Sequence, residues 1–324
     1  MNLSREKLLS EAALTGFRPE VLEKVHYLLD LLEAINSEEF LRDRLALKGG
    51  TALNLFIFEL PRLSVDIDLN YIGSPDRKIM EAERQEIEKL LPALSLRLGL
   101  IVQAPKKEYA LTSWALRYQS VMGGNDNVKV EINFIQRIPI WPPVRQTPCL
   151  VGTRQTMDAL ILDEHELAGG KLAALLARRT GRDLFDGHAL LLKRPLDPLR
   201  LRLAFVLYGG MNIEDWRKLQ PSDIDKAIED FERNLIPLLR QATLDALGEN
   251  RSVWGHQLAA ECREALAVVL PFTEKELHFL NRLNNEGEIE PEHLTSDAAL
   301  AERLREHPGL KWKALNVRKH RGLL

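Results

Sequence analysis

Apolar residues recur every three or four positions through "VLEKVHYLLDLLEAI", and residues 4–36 are predicted as two helices. "LALK" (45–48) is a short apolar run before two glycines and is predicted as a strand. "TALNLFIFEL" (51–60) reads as a helix started by Thr51 and stopped before Pro61. "SVDIDLNYI" (64–72) alternates apolar and polar positions and carries β-branched residues, the pattern of a strand. A long amphipathic helix follows over 76–98, with Pro92 inside it as a kink point. Strands are predicted near 100–104, 109–120 and 128–136, the last two flanking the hairpin signal "GGNDN". "IPIWPPVRQTP" (138–148) reads as irregular, and a boundary is placed there.

Beyond about residue 150 the period becomes helical. Helices are predicted over 163–179, 183–193, 198–209, 222–247 and 256–269, with a mixed segment from 273 to a basic tail. The pattern gives two domains, 1–145 carrying the strands and 146–324 mainly helical. The fold class is therefore α+β, a mixed sheet on the N-terminal side followed by a helical domain.

Composition narrows the class of protein. The 324 residues are 45% hydrophobic and 28% charged, as in ordinary globular proteins, and the net charge is −3. An RNA footprint on such a chain must be a local patch. Cys149 and Cys262 match no metal or redox spacing and read as small buried hydrophobes of a reducing compartment. No signal peptide and no apolar run of about 18 residues is found, so a cytoplasmic protein without a membrane span is expected.

The chemistry lies in "LKGGTALNLFIFELPRLSVDIDLNYIG" (47–73). Asp66 and Asp68 stand two residues apart on a strand, so both carboxylates share one face. A bare D-x-D is common by chance and fits an exposed edge strand equally well. A divalent cation such as Mg²⁺ or Mn²⁺ relieves the repulsion of such a pair through oxygen ligands. Gly49 and Gly50 precede a helix and let backbone N–H groups approach an anion, with Thr51 able to cap that helix or bind phosphate. Together these form a cradle for an NTP and its metal. Glu131 in "VKVEINFI" is the candidate third carboxylate. Lys171 falls among small and apolar residues, an unusual place for an idle ammonium. If it faces a nucleotide it meets a phosphate, and Asp186 can orient it. Asp183 reads as a helix cap, and Arg178, Arg179 and Arg182 as a helix end. Ser64, two residues before Asp66, is a candidate regulatory phosphosite or an ordinary strand serine. The tail carries Lys311, Lys313, Arg318, Lys319 and Arg321 around Trp312, which suits either RNA phosphates with a stacked base or a solvated helix with a core tryptophan.

At "KGGTALNLF" (48–56), "RLSVDIDLNYIG" (62–73), "KLAALLARRTGRDLFD" (171–186) and "HPGLKWKALNVRKH" (307–320) the chain resembles the AbiEii/AbiGii nucleotidyltransferase toxin family, which includes the MenT-type toxins. The resemblance implies a polymerase-β-like domain, a helical C-terminal region, and the toxin half of a toxin–antitoxin or phage-defence pair. It places Gly49, Gly50 and Thr51 at the nucleotide phosphates and makes Asp66 and Asp68 metal ligands. It matches Lys171 and Asp186 to the family's later lysine and aspartate. It implies addition of NTP-derived nucleotides to the tRNA 3′ acceptor end, which stops translation, countered by a cognate antitoxin. Two other readings remain open: transfer to a protein or small molecule, and a non-catalytic nucleotide-binding regulator.

Overall fold

The structure is a computed structural model that describes residues 3–322. Its backbone divides into two compact units. One runs up to Arg137 and regains Pro142–Leu162 and Ile236–Gly248; the other comprises Ile138–Trp141, Asp163–Leu235 and the chain from Glu249 onward.

The first unit opens with helices α1 (Arg5–Thr15) and α2 (Pro19–Ser37). Strand β1 (Leu45–Lys48) runs into the short helix α3 (Gly49–Ala52), which continues as one π-turn, Leu53–Ile57. Then come β2 (Asp66–Tyr71), α4 (Arg77–Arg97), β3 (Ile101–Val102), β4 (Lys106–Lys107), β5 (Leu111–Gln119) and β6 (Asn125–Asn133). Two short strands, β7 (Val144–Gln146) and β8 (Ala159–Ile161), complete a mixed sheet of order β3-β5-β6-β2-β1-β8-β7, with β4 beside β5. β2 pairs antiparallel with β1 and parallel with β6.

The alternation seen in the sequence sorts the two faces of this sheet. Ile67, Leu69, Trp114, Leu116, Val128, Val130 and Ile132 are buried on one side, where α2 packs against β2 and β6. α2 supplies Leu22, Val25, Leu28, Leu29, Leu32 and Ile35 at helical spacing to the same core. The other face holds Asp66, Asp68, Lys129 and Glu131.

The second unit is helical. α5 (Glu164–Arg178), α6 (Gly181–Lys193) and α7 (Pro198–Gly210) pack together through Leu172, Leu175, Leu176, Leu190 and Phe205. The chain passes through α8 (Gln241–Leu247), part of the first unit, to α9 (Arg251–Ala265), α10 (Glu274–Asn281), α11 (Ala298–Arg305) and α12 (Pro308–Arg321).

Four segments differ from the pattern-based expectation. The helix expected over 51–60 begins at Gly49, because Gly49 takes a left-handed φ of 71° and turns the chain directly out of β1. Residues 144–146, expected to be irregular, form β7 despite Pro142 and Pro143. An edge strand pairs on one side only, and both prolines precede it. β8 lies in a region read as helical; three residues are too few to show a period. Over 222–247 a single helix is replaced by 3₁₀ and π turns as far as Leu238, with α8 alone as regular helix. Pro221 and Pro237 interrupt the ladder there.

Candidate active site

The strand register puts the three carboxylates on one sheet face, although their oxygens do not all lie within 4.8 Å of one another. Asp68 lies directly beside Glu131, and Asp66 beside Lys129. Neighbouring strands stand about 4.8 Å apart and i, i+2 side chains share a face, so Asp66, Asp68 and Glu131 outline one anionic triangle. Lys129 reaches across it, its Nζ 2.8 Å from Glu131 Oε1. This ammonium is a neighbour of the carboxylates that the sequence reading did not name, signalled by the Lys–Val–Glu alternation in β6.

Gly49 closes one side. A Cβ built on it would stand 2.5 Å from Asp68 Oδ2, and its φ is 71°. No other L-residue fits that backbone without strain or displacement of the carboxylate. The backbone of the glycine turn therefore presses against Asp68. Oxygen-only donors on a strand, beside the backbone of a glycine turn, fit a hard dication such as Mg²⁺ or Mn²⁺.

Thr51 neither caps the helix nor presents its hydroxyl outward. Lys48 occupies the cap position, and Thr51 is buried in the first turn. Its Oγ1 donates to the carbonyl of Asp66 at 2.5 Å and can accept from the Ser64 hydroxyl, whose Oγ is 3.0 Å away. The hydroxyl thus braces the start of β2. Ser64 lies before that strand, so two-residue alternation does not put it on the Asp66 face, and it is buried.

Lys171 and Asp186 belong to the second unit, where they form a buried ion cluster with Asp183. Lys171 Nζ stands 2.9 Å from Asp183 Oδ1 and 3.0 Å from Asp186 Oδ2. Arg178 and the hydroxyl of Thr180 also donate to Asp183. Burial alone would raise the Asp183 pKa; the charges of Lys171 and Arg178 hold it well below the ordinary carboxylate range instead. Asp183 is therefore not the helix cap. Thr180 is, and Asp183 is the charge partner that sequence reasoning missed. Its spacing of three from Asp186 on one helix face was the available signal.

A second buried acid had no sequence signal. Glu166, in the first turns of α5, accepts from the Tyr208 hydroxyl at 2.9 Å and from the Ile140 N–H at 2.9 Å. Burial pushes its pKa up to about 7 from 4.5, against the lowering effect of those hydrogen bonds. The unfolded chain releases this proton near 4.5, the folded protein near 7. Stability held by the neutral form is thus present at low pH and lost as pH rises through 7. Glu166→Gln removes the titration while keeping both hydrogen bonds, since its amide can donate to Tyr208 and accept from Ile140. The variant should match the parent near pH 4, below the unfolded value, and exceed it by about 3 kcal/mol at pH 8, at 1.36 kcal/mol per unit. Urea melts at the two pH values check this; parallel pH curves for both proteins would count against it.

A mixed sheet carrying paired aspartates beside a glycine turn is the architecture of a nucleotidyltransferase. The family model described as "Nucleotidyl transferase AbiEii toxin, Type IV TA system" matches residues 30–265. The chain belongs to that family, the toxin side of type IV toxin–antitoxin systems. Among solved structures it is similar to MenT4, a nucleotidyltransferase toxin from Mycobacterium tuberculosis H37Rv. The TM-score is 0.59 at 17% identity, over 94% of this chain and 98% of that one. No curated protein matches by sequence.

Proposed function

We propose that this nucleotidyltransferase toxin moves a nucleotide from an NTP onto RNA, at the 3′ acceptor end of tRNA, and thereby blocks translation in the cytoplasm. The observation that carries the reading is the ladder placing Asp68 beside Glu131 on the face of Asp66, with Gly49 against Asp68. Asp66, Asp68 and Glu131 would hold Mg²⁺ or Mn²⁺, which when bound neutralises phosphate charge and acidifies the acceptor hydroxyl. The amides of Gly49, Gly50 and Thr51 would receive the triphosphate. In this reading Lys171, held within its own unit by Asp183 and Asp186, would add a cation for the triphosphate. The acceptor oxygen bonds to the α-phosphorus, the bond to the β-phosphate oxygen breaks, and pyrophosphate leaves. The hydroxyl proton passes to a carboxylate of the triangle, Glu131 in this reading. A phosphate on Ser64 would break the Thr51 bridge beneath Asp66, and so would act on the position of β2.

RNA as acceptor is favoured by a feature of the second unit. A cavity of about 910 Å³ is lined by Trp312, Asn212, Asn284, Asn316, His320 and Arg321. Trp312 is 40% exposed, so it is not the core residue that one reading of the tail required. An open indole, amide groups and cations suit an unpaired nucleotide.

The test incubates the protein with Mg²⁺, total tRNA and each labelled NTP in turn. Label on tRNA that disappears when Mg²⁺ is chelated supports the proposal and names the nucleotide. Label on the protein, or on a small molecule in a tRNA-free extract, would replace RNA as the acceptor. The family has an antitoxin partner; whether it binds this chain directly is read by co-purification from co-expressed genes.

A further inference from the structure

Away from the carboxylate triangle, His278, Glu290 and His293 converge on one point of the second unit. His278 lies in the last turn of α10, Glu290 follows the next loop, and His293 ends the short 3₁₀ turn Pro291–His293. Glu290 Oε2 is 3.3 Å from His293 Nε2 and 3.6 Å from His278 Nε2. The two imidazoles lie with centroids 4.1 Å apart and their planes tilted by 46°. One donor atom from each residue falls within 4.8 Å of the others, and no other three His, Cys, Asp or Glu residues do so among the described residues. Ligand atoms around tetrahedral zinc, at bond lengths of about 2.0–2.1 Å, stand roughly 3.3 Å apart. Small side-chain shifts close the remaining gap.

The surrounding charge also calls for a dication. Arg282 donates from Nε to Glu290 Oε1 at 2.8 Å and pairs with Glu286 and Glu288 through its other nitrogens. Three carboxylates against one guanidinium leave a local charge of −2 before any histidine is protonated. Arg282 also holds Glu290 by one oxygen and turns the other toward both imidazoles, the outer-shell arrangement that fixes a metal-binding carboxylate. The loop between is folded by Gly287, whose φ is 65° and whose Cβ would stand 2.5 Å from the Ala314 carbonyl of α12.

We propose that His278, Glu290 and His293 bind one transition-metal dication, zinc in particular, with its fourth position open to solvent. Two imidazole nitrogens and one carboxylate oxygen suit zinc and not Mg²⁺, which prefers oxygen-only octahedral sites. The ion ties α10 to the segment that leads into α11 and α12 and tightens the loop seated on α12. The site is separate in ligand chemistry from the transferase carboxylates.

The experiment uses the full chain without a histidine tag, stripped by chelator, then titrated with Zn²⁺ by calorimetry and with Co²⁺ by visible absorption. The expected result is one equivalent of zinc at micromolar affinity or tighter, a Co²⁺ spectrum of four-coordinate intensity, and a zinc-dependent rise in Tm. His278→Ala and His293→Ala should each weaken zinc at least about tenfold and abolish the Tm rise. Both imidazoles reach the surface, so these variants fold, and Asp66→Asn should leave the zinc isotherm unchanged. Zinc binding that survives the double histidine variant, or that is lost in Asp66→Asn, would overturn the proposal, as would no binding below millimolar zinc.

Discussion

Asp68→Asn is expected to abolish nucleotidyl transfer and leave the fold intact. The substitution keeps shape and removes one of the charges that the strand register sets side by side with Glu131. Metal-held charge stabilisation of a transferring phosphoryl group is worth several kcal/mol, and at 1.36 kcal/mol per decade its loss is roughly a thousandfold or more in rate. Asp66→Asn should behave the same way. Single-turnover transfer of label, with a thermal melt of the same samples, reads both effects. Transfer within tenfold of the parent in either variant would remove the triangle from the mechanism.

Lys171→Met should produce a large loss of stability. It leaves Asp183 and Asp186 in the interior, where their side chains are 3% and 0% exposed, without their shared cation. Breaking a buried ion cluster by removing one partner costs about 3–5 kcal/mol. Arg178 is 63% exposed and reaches Asp183, so it offsets only part of this. The pH signature is specific. In the parent the depressed Asp183 pKa contributes stability that is present above its ordinary value of 3.8 and is lost only as pH falls through the folded value. The variant lacks that contribution, so the two proteins converge in acid. Restoring balance with Asp186→Asn in the Lys171→Met background should recover part of the loss, which a double-mutant cycle in urea measures. A cost under about 1 kcal/mol would mean the cluster has no structural weight. Because Lys171 is proposed to serve nucleotide binding as well as folding, its loss of activity alone distinguishes nothing.

The sequence by itself determined the elements whose period is long enough to be read. α2, α4, β5 and β6 each repeat their buried positions often enough to fix type and face. The Asp66–Asp68 pair was legible for the same reason, since alternation in a strand is a local rule. Gly49 was legible as a turn residue, although not as the backbone wall against Asp68. Only the tertiary structure decided what depends on contacts distant along the chain. Parallel pairing of β2 with β6 chose Glu131 as the neighbour of Asp68 and brought Lys129 with it. Packing of α5 on α6 turned Asp183 from a supposed cap into the partner of Lys171, and buried Thr51 turned its hydroxyl inward. The short strands β7 and β8 form because a sheet edge offers them hydrogen bonds, and their few residues carry no period of their own. His278, Glu290 and His293 meet because a loop folds back at Gly287, and side-chain convergence across a loop leaves no periodic trace in a sequence.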